Sequence, residues 1–271
     1  IYSYSKIKNK FCKPIKSLRN IKELNPDYIL ICSETHKHFK QLKELNQNLK
    51  NKKILVEKPL FHKNLKFPKI QNKIFVGYNL RFHPVYNFLY KEVRKNLKNF
   101  FDLKFICYSY LPNWKKNKKY KKTYSAMKKK GGGVINDLSH EIDLAINITK
   151  KLTLNHSFLS KISNLDLNVE DNVYAICQRK NNQKITIDLN YFTQVERRKI
   201  IFSNSSKTIV GDLINNEIYI GQNQNIKKNK LKSDHNTYEK LIRDFIFNNG
   251  KNCATFNDGI LVNKFISIIK K

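Results

Sequence analysis

The chain has 271 residues, 40% of them hydrophobic and 12% aromatic, enough apolar material for one large or two smaller globular domains and too much for a disordered polyelectrolyte. Its 53 Lys and Arg against 21 Asp and Glu give a net charge of +32, a field that favours anionic partners. Arg, which reads phosphates and base edges bidentately, supplies only seven of those bases, and the lysines fall on nearly every face rather than in one stripe, so no specific nucleic-acid function is expected.

Tyr2 and Ser3 read as the tail of a strand that runs into a polar loop. Ser17 to Leu24 is a short helix, broken at Asn25-Pro26. Asp27 to Cys32 is a continuous apolar run, the pattern of a parallel strand buried on both faces. The turn Ser33-Glu34-Thr35-His36-Lys37-His38 follows, then a helix with Phe39, Leu42, Leu45 and Leu49 on one face. Two further strands end at Glu57-Lys58 and at Gly77. Strand–helix–strand units with parallel connections build a doubly wound sheet. Residues 1–80 are therefore predicted to be the remainder of a dinucleotide-binding Rossmann domain. Its first strand, Gly-rich turn and first helix are missing from the sequence: no GxGxxG occurs, and the single Met is Met127, so a preceding segment is expected.

After Gly77 the pattern changes. Pro84 opens a helix with Val85, Phe88, Leu89 and Val93 on one face, and a long strand runs from Phe100 to Tyr110. A lysine-rich loop from Leu111 to Lys130 holds Trp114, Tyr120 and Tyr124. Gly131-Gly132-Gly133 leads into a helix from about Val134 to Ile148. Strands follow at Val173 to Gln178, Ile185 to Tyr191, Lys199 to Ser203, Thr208 to Asp212 and Glu217 to Ile220, with Asn181-Asn182 and Asn215-Asn216 as turn signals. Two helices close the chain, at Thr237 to Asn248 and Ile260 to Lys270. The predicted fold class is α/β: a partial Rossmann domain, then an α+β domain over 81–271 with a large, mostly antiparallel sheet. The C-terminal helices are expected to pack back on the first domain.

Cys12, Cys32, Cys107, Cys177 and Cys253 are odd in number and widely spaced without a CxxC, which reads as reduced, unliganded and cytoplasmic. No metal site is expected. No apolar run approaches the roughly 20 residues of a membrane span, so no membrane partner is expected either.

Three stretches carry chemistry. In Lys53-Ile54-Leu55-Val56-Glu57-Lys58-Pro59-Leu60 the strand must stop at proline, which leaves Glu57 and Lys58 at the carboxyl end of a parallel strand, where open α/β sheets bind ligands. An ammonium beside a carboxylate there can hold a hydroxyl. In Gly131 to Asp143, Asp137 and His140 stand three apart on one helical face, the spacing for a carboxylate that orients an imidazole base. In Gly77-Tyr78-Asn79-Leu80-Arg81-Phe82-His83-Pro84, polar groups on a strand-end loop could meet the other two; an ion pair of Arg81 in a linker is the plainer reading.

With Ser33-x-Thr35-x-x-His38 added, these motifs resemble, in order and spacing, the glucose–fructose oxidoreductase / inositol dehydrogenase (Gfo/Idh/MocA) family, from Asp27 to the last helix. The resemblance implies NAD(P)-dependent hydride transfer at a carbinol or carbonyl of a sugar, cyclitol or nucleotide-sugar, in the setting of surface-polysaccharide biosynthesis. It implies Lys58, His140 and Asp137 as catalytic residues, with Asp137 orienting the imidazole or binding a neighbouring hydroxyl. Ser33, Thr35, His38 and Glu57 would line the cofactor, and Arg81, Trp114 and Tyr124 the sugar or its nucleotide. It also implies a homo-oligomer formed through the antiparallel sheet. Many family members space the Asp and His one residue further apart. Ser3-Tyr4-Ser5-Lys6 occupies the region where an acid would hold the ribose 2′-hydroxyl of NAD; with Ser3 and Ser5 as the candidate contacts and no acid present, the choice leans to NADP. A cofactor-free relative with a binding role is the alternative, and a basic nucleic-acid module stands behind it.

Overall fold

A computed structural model describes residues 2–4, 10–15, 17–114, 119–180, 183–232 and 236–271. β1 (Tyr2–Ser3) and β2 (Lys13–Pro14) pair in parallel as a separate two-stranded sheet. A 3₁₀ turn at Leu18–Asn20 runs into α1 (Ile21–Leu24), which stops where Asn25 takes φ 39°, a left-handed conformation that Asn tolerates. Then come β3 (Tyr28–Ile31), α2 (Thr35–Asn48), β4 (Lys53–Val56) and β5 (Lys73–Val76). β4 lies between β3 and β5, all three parallel, and its Ile54 and Val56 are fully buried. β3 departs from the sequence reading. Tyr28 and Leu30 are 41% and 49% exposed, because β3 is the edge strand of this sheet and one of its faces is only partly covered.

A 3₁₀ turn at Asn79–Phe82 leads to α3 (Pro84–Lys95). Proline suits the first turn, and His83 Nδ1 accepts from Val85 N–H at 3.3 Å as the cap. β6 (Phe101–Tyr110) alternates buried and half-exposed residues along its whole length. Four short 3₁₀ turns cross the described part of the loop, from Leu111–Trp114 to Lys128–Lys130. The single helix expected from Val134 is two, α4 (Val134–Asp137) and α5 (Ser139–Thr149), because Leu138 leaves helical geometry at φ −94°, ψ 28°.

Strands β7 (Thr153–Ser160), β8 (Asn172–Gln178), β9 (Gln183–Asn190), β10 (Phe192–Ser203), β11 (Thr208–Asp212), β12 (Glu217–Gln222) and β13 (Asn225–Lys230) complete an eight-stranded sheet of order β13-β12-β11-β10-β6-β9-β8-β7. Within it β6 and β9 pair in parallel, and every other pair is antiparallel. Asn216, at φ 57°, makes the turn between β11 and β12. Asn181 and Asn182 lie outside the described residues. α3, α4 and α5 cover the inner face, where Leu103, Phe105, Val173, Ile185 and Ile187 form the main core.

The chain then returns to the first sheet. α6 (Thr237–Phe247) lays Leu241 and Phe245 on Leu55 and Phe75. β14 (Ala254–Thr255) pairs antiparallel with β5, and α7 (Phe256–Ile269) starts on a capping box in which Thr255 Oγ1 accepts from Asp258 N–H and Asp258 accepts from Thr255 N–H.

Candidate active site

The site begins at the carboxyl ends of the parallel strands. The Lys58-Pro59 peptide is cis and turns the chain away from β4. The half-buried Lys58 ammonium reaches across and donates to the main-chain carbonyl of Asp137, the last residue of α4. That bond joins the parallel sheet to the helices of the second sheet. Glu57 is half buried, and its Oε2 accepts from the Lys58 N–H at 3.2 Å. Burial lifts its carboxyl above the usual range, against the pull of the Lys58 charge.

α4 is aimed by the glycines before it. Gly131 and Gly133 sit at φ 78° and 112°, and Asn136 Nδ2 donates to the carbonyls of Gly131 and Gly132 at 3.0 and 3.2 Å, closing the strap on the helix. The buried Asp137 carboxylate accepts from the Tyr191 hydroxyl at 2.5 Å and is also hydrogen-bonded to Tyr124. The Asp137 charge, then burial, pushes the Tyr124 phenol above its ordinary value, so it stays protonated. The edge of Trp114 meets the Tyr191 ring at 5.3 Å between centroids.

His140 stands in the first turn of α5, 7% exposed, with Tyr78 edge-on at 5.6 Å. Its Nδ1 is buried without a protein partner. Burial, then the charges of Lys58 and Arg198, hold its pKa well below the ordinary histidine value, so the imidazole is neutral at neutral pH. The resemblance leaves Asp137 either to orient this ring or to bind a neighbouring hydroxyl. The structure places no hydrogen bond between them: the break at Leu138 ends the common helical face, and the tyrosines take the carboxylate.

Other expected residues sort differently. His38 is fully buried, with Nδ1 3.1 Å from the Pro59 carbonyl and Nε2 2.9 Å from the Ser33 carbonyl, so it fastens two strand-end turns and cannot line a cofactor surface. Arg81 is buried with both prongs on Asp143, at 2.8 and 2.6 Å, and reaches Asp258 at 3.2 Å; it is an internal clamp and not a sugar contact. Thr35 is buried at the start of α2, and Ser33 Oγ donates to Gln41 at 2.6 Å. Ser3 sits in the two-stranded sheet, its carbonyl accepting from Ile15 N–H, and Ser5 lies outside the described residues. Tyr191 was not foreseen, since at the end of an alternating strand it reads as one more aromatic strand residue. Glu141, next to His140 in the sequence, likewise reads as an ordinary helix residue. It is 2% exposed and takes Arg198 at 2.7 and 3.3 Å, behind His140. Among the described residues no His, Cys, Asp and Glu group could hold a metal ion. No described helix is long and apolar enough to cross a membrane.

No protein-family model and no curated protein sequence matches the chain. Solved structures do. Levoglucosan dehydrogenase, in complex with NADH and levoglucosan, superposes with a TM-score of 0.80 at 14% identity, over 95% of this chain and 81% of that one. The WlbA dehydrogenase of Bordetella pertussis, in complex with NADH and UDP-GlcNAcA, gives 0.73 at 14%, over 96% and 81%. The MviM dehydrogenase of Clostridium difficile gives 0.68 at 18%, over 96% and 83%. At such identities the likeness is one of fold: part of a Rossmann-type sheet followed by a domain built on a large second sheet.

Proposed function

We propose that the protein is a nicotinamide-dinucleotide-dependent oxidoreductase acting at a carbinol or carbonyl of a sugar, cyclitol or nucleotide-sugar. The observation that carries this reading is the bond from Lys58 to the Asp137 carbonyl, which sets an ammonium at a parallel-strand end next to a neutral, buried His140. The strand-end edge suits a dinucleotide, because it ends in a half-buried carboxylate, Glu57, that can accept a hydrogen bond from a polar group of the cofactor. A bound dinucleotide would supply the hydride acceptor or donor. In the oxidative direction His140 takes the hydroxyl proton, and its low pKa keeps it free to do so. Lys58 donates a hydrogen bond to the same oxygen and offsets its growing negative charge. Tyr191 and Tyr124 hold Asp137 beside them, and Trp114 offers the sugar a flat wall.

The full-length protein should oxidise at least one member of a panel of sugars, cyclitols and nucleotide-sugars with NAD⁺ or NADP⁺, followed by the absorbance of the reduced nicotinamide. NADP⁺ is the expected preference, because Ser3-Tyr4-Ser5-Lys6 offers no acid for a ribose 2′-hydroxyl. Lys58→Ala should lower kcat/KM about 10²- to 10³-fold, the usual loss for an oxyanion donor. Full turnover in that variant would remove Lys58 from the chemistry.

A further inference from the structure

The Nδ1 of His140 is buried without a partner among the described residues, and the Asp137 carboxylate is taken by Tyr191 and Tyr124. The aim of the ring is therefore set by its edge-on contact with Tyr78 and by the backbone that carries it. That backbone is tethered on both sides. Three residues before His140, Lys58 donates to the Asp137 carbonyl. Directly after it, the buried Glu141 carboxylate accepts from Arg198 Nε at 2.7 Å and from Nη2 at 3.3 Å.

Arg198 reaches Glu141 because β10 is irregular. Phe192 pairs with Tyr110 of β6 and Arg197 with Tyr108, so residues 193–196 all stand opposite Ser109. Tyr108 and Tyr110, two apart, share the outer face of the sheet, whereas Phe192 and Arg197 are five apart. In a regular strand an odd spacing would put them on opposite faces. The bulge restores the phase, and so turns Arg198, with the buried Ile200 and Phe202, to the inner face under α5. There Arg198 is the register partner of Cys107 on β6 and is hydrogen-bonded to it.

We propose that Arg198 is a positioning residue for the reaction at His140: by holding Glu141 with two prongs it fixes the first turn of α5 and with it the aim of the ring. The proposal rests on the oxidoreductase reading and adds a residue to it. The fork of a guanidinium suits this task, since it matches a carboxylate bidentately where an ammonium cannot. The charge of Arg198 acts as well: after burial and Lys58 it helps to keep the imidazole neutral. The other groups around the ring have partners or stay protonated. Asp143, one turn further along α5, and Asp258 of α7 are bonded to Arg81, and Glu57 lies beside Lys58. Burial pushes the Tyr78 phenol up, and it pushes the Cys107 thiol up to about 12.

The test uses the full-length protein and two readouts. Arg198→Met removes the fork and leaves Glu141 unpaired. Combining it with Glu141→Met removes both ends, an exchange that folds often tolerate at a buried pair. Both variants should lose about tenfold in kcat with the KM for the sugar unchanged. Arg198→Lys, which keeps the charge and not the fork, should fall between Arg198→Met and the parent. In the cofactor-free protein, NMR of labelled histidine, assigned through His140→Asn, reads the ring directly. Arg198→Met should raise the His140 pKa by about one unit, because a cation is lost and an acid bared, whereas Glu141→Gln should not raise it. Arg197→Met, on the exposed outer face, should match the parent in both readouts and controls for the loss of one positive charge. Parental kcat in the folded double variant, a loss carried by KM alone, or a His140 titration unmoved by Arg198→Met would each overturn the proposal. A parent inactive on the whole substrate panel would overturn the oxidoreductase reading itself, even where the ring titrates as expected.

Discussion

His140 and His38 are buried and hold their protons less tightly than in the unfolded chain, with burial the largest cause for both. The folded pKa lies below the unfolded one, so at mildly acid pH the unfolded state binds more protons and is favoured. The stability they contribute is complete above about pH 6.5, the unfolded histidine value, and is lost as pH falls below it, at about 1.4 kcal/mol per pKa unit of difference for each group. Glu57 works in the opposite sense, since its pKa is raised. Melting should therefore move to lower temperature between pH 7.5 and pH 5.5, and His140→Asn should flatten part of that slope. A melting temperature constant over this range would contradict the buried, neutral state of these rings. The residue types at the site were readable from the sequence, but their partners were not. Spacing put Asp137 and His140 on one face, whereas a single non-helical residue, Leu138, hands Asp137 to tyrosines from two distant segments. Likewise Arg81 lies in a motif next to the site, yet Asp143 and Asp258 draw it into the interior.

Among the elements, the glycine strap and the turns before it place Tyr124 on Asp137. Gly132 is packed so closely that a methyl group would land on the carbonyl oxygens of Tyr124 and Ser125, which are main-chain atoms and cannot rotate away. Gly133 N–H also donates to the Ser125 carbonyl at 3.0 Å, so strap and turn move together. Gly132→Ala should cost about 1–3 kcal/mol, the range for overpacking. A chain of this size would then melt a few degrees lower, at about 2–4 °C per kcal/mol. Activity should fall further than stability at a temperature where the variant is still folded, because Tyr124 is displaced from Asp137. A variant with parental melting and turnover would show that the strap does not set the site. The three glycines marked this approach in the sequence, and the alternation of β6, β8 and β9 marked the sheet. Two strands left no such mark: β13 is built of Asn and Lys with one Ile, and β7 is an edge strand whose residues are mostly exposed. Neither buries the alternate side chains that make a strand legible.

For the whole molecule, the large sheet has one face under helices and one face open. On the open face Phe158 and Tyr174 are register partners, 58% and 41% exposed, with Ile176 beside them on β8 and Ile106 and Tyr108 on β6. A second copy packing sheet to sheet would cover these residues, and about 800 Å² from each partner is the usual size of a stable interface. The charge of the chain sharpens the expectation. Two copies at +32 repel each other, while the exposed apolar side chains surround the Tyr108–Asp188 hydrogen bond between β6 and β9, with no array of opposite charges among the described residues to offset that repulsion. Added salt should therefore strengthen the association by screening that repulsion, the opposite of its effect on an interface held by ion pairs. Light scattering behind size exclusion should find a dimer or larger at moderate salt, with the monomer fraction growing as salt is withdrawn. Combining Phe158→Glu with Tyr174→Lys should give a monomer of unchanged circular dichroism, because both side chains are exposed in the isolated chain. An unmodified protein that stays monomeric at high salt would leave this open face without a partner of its own kind.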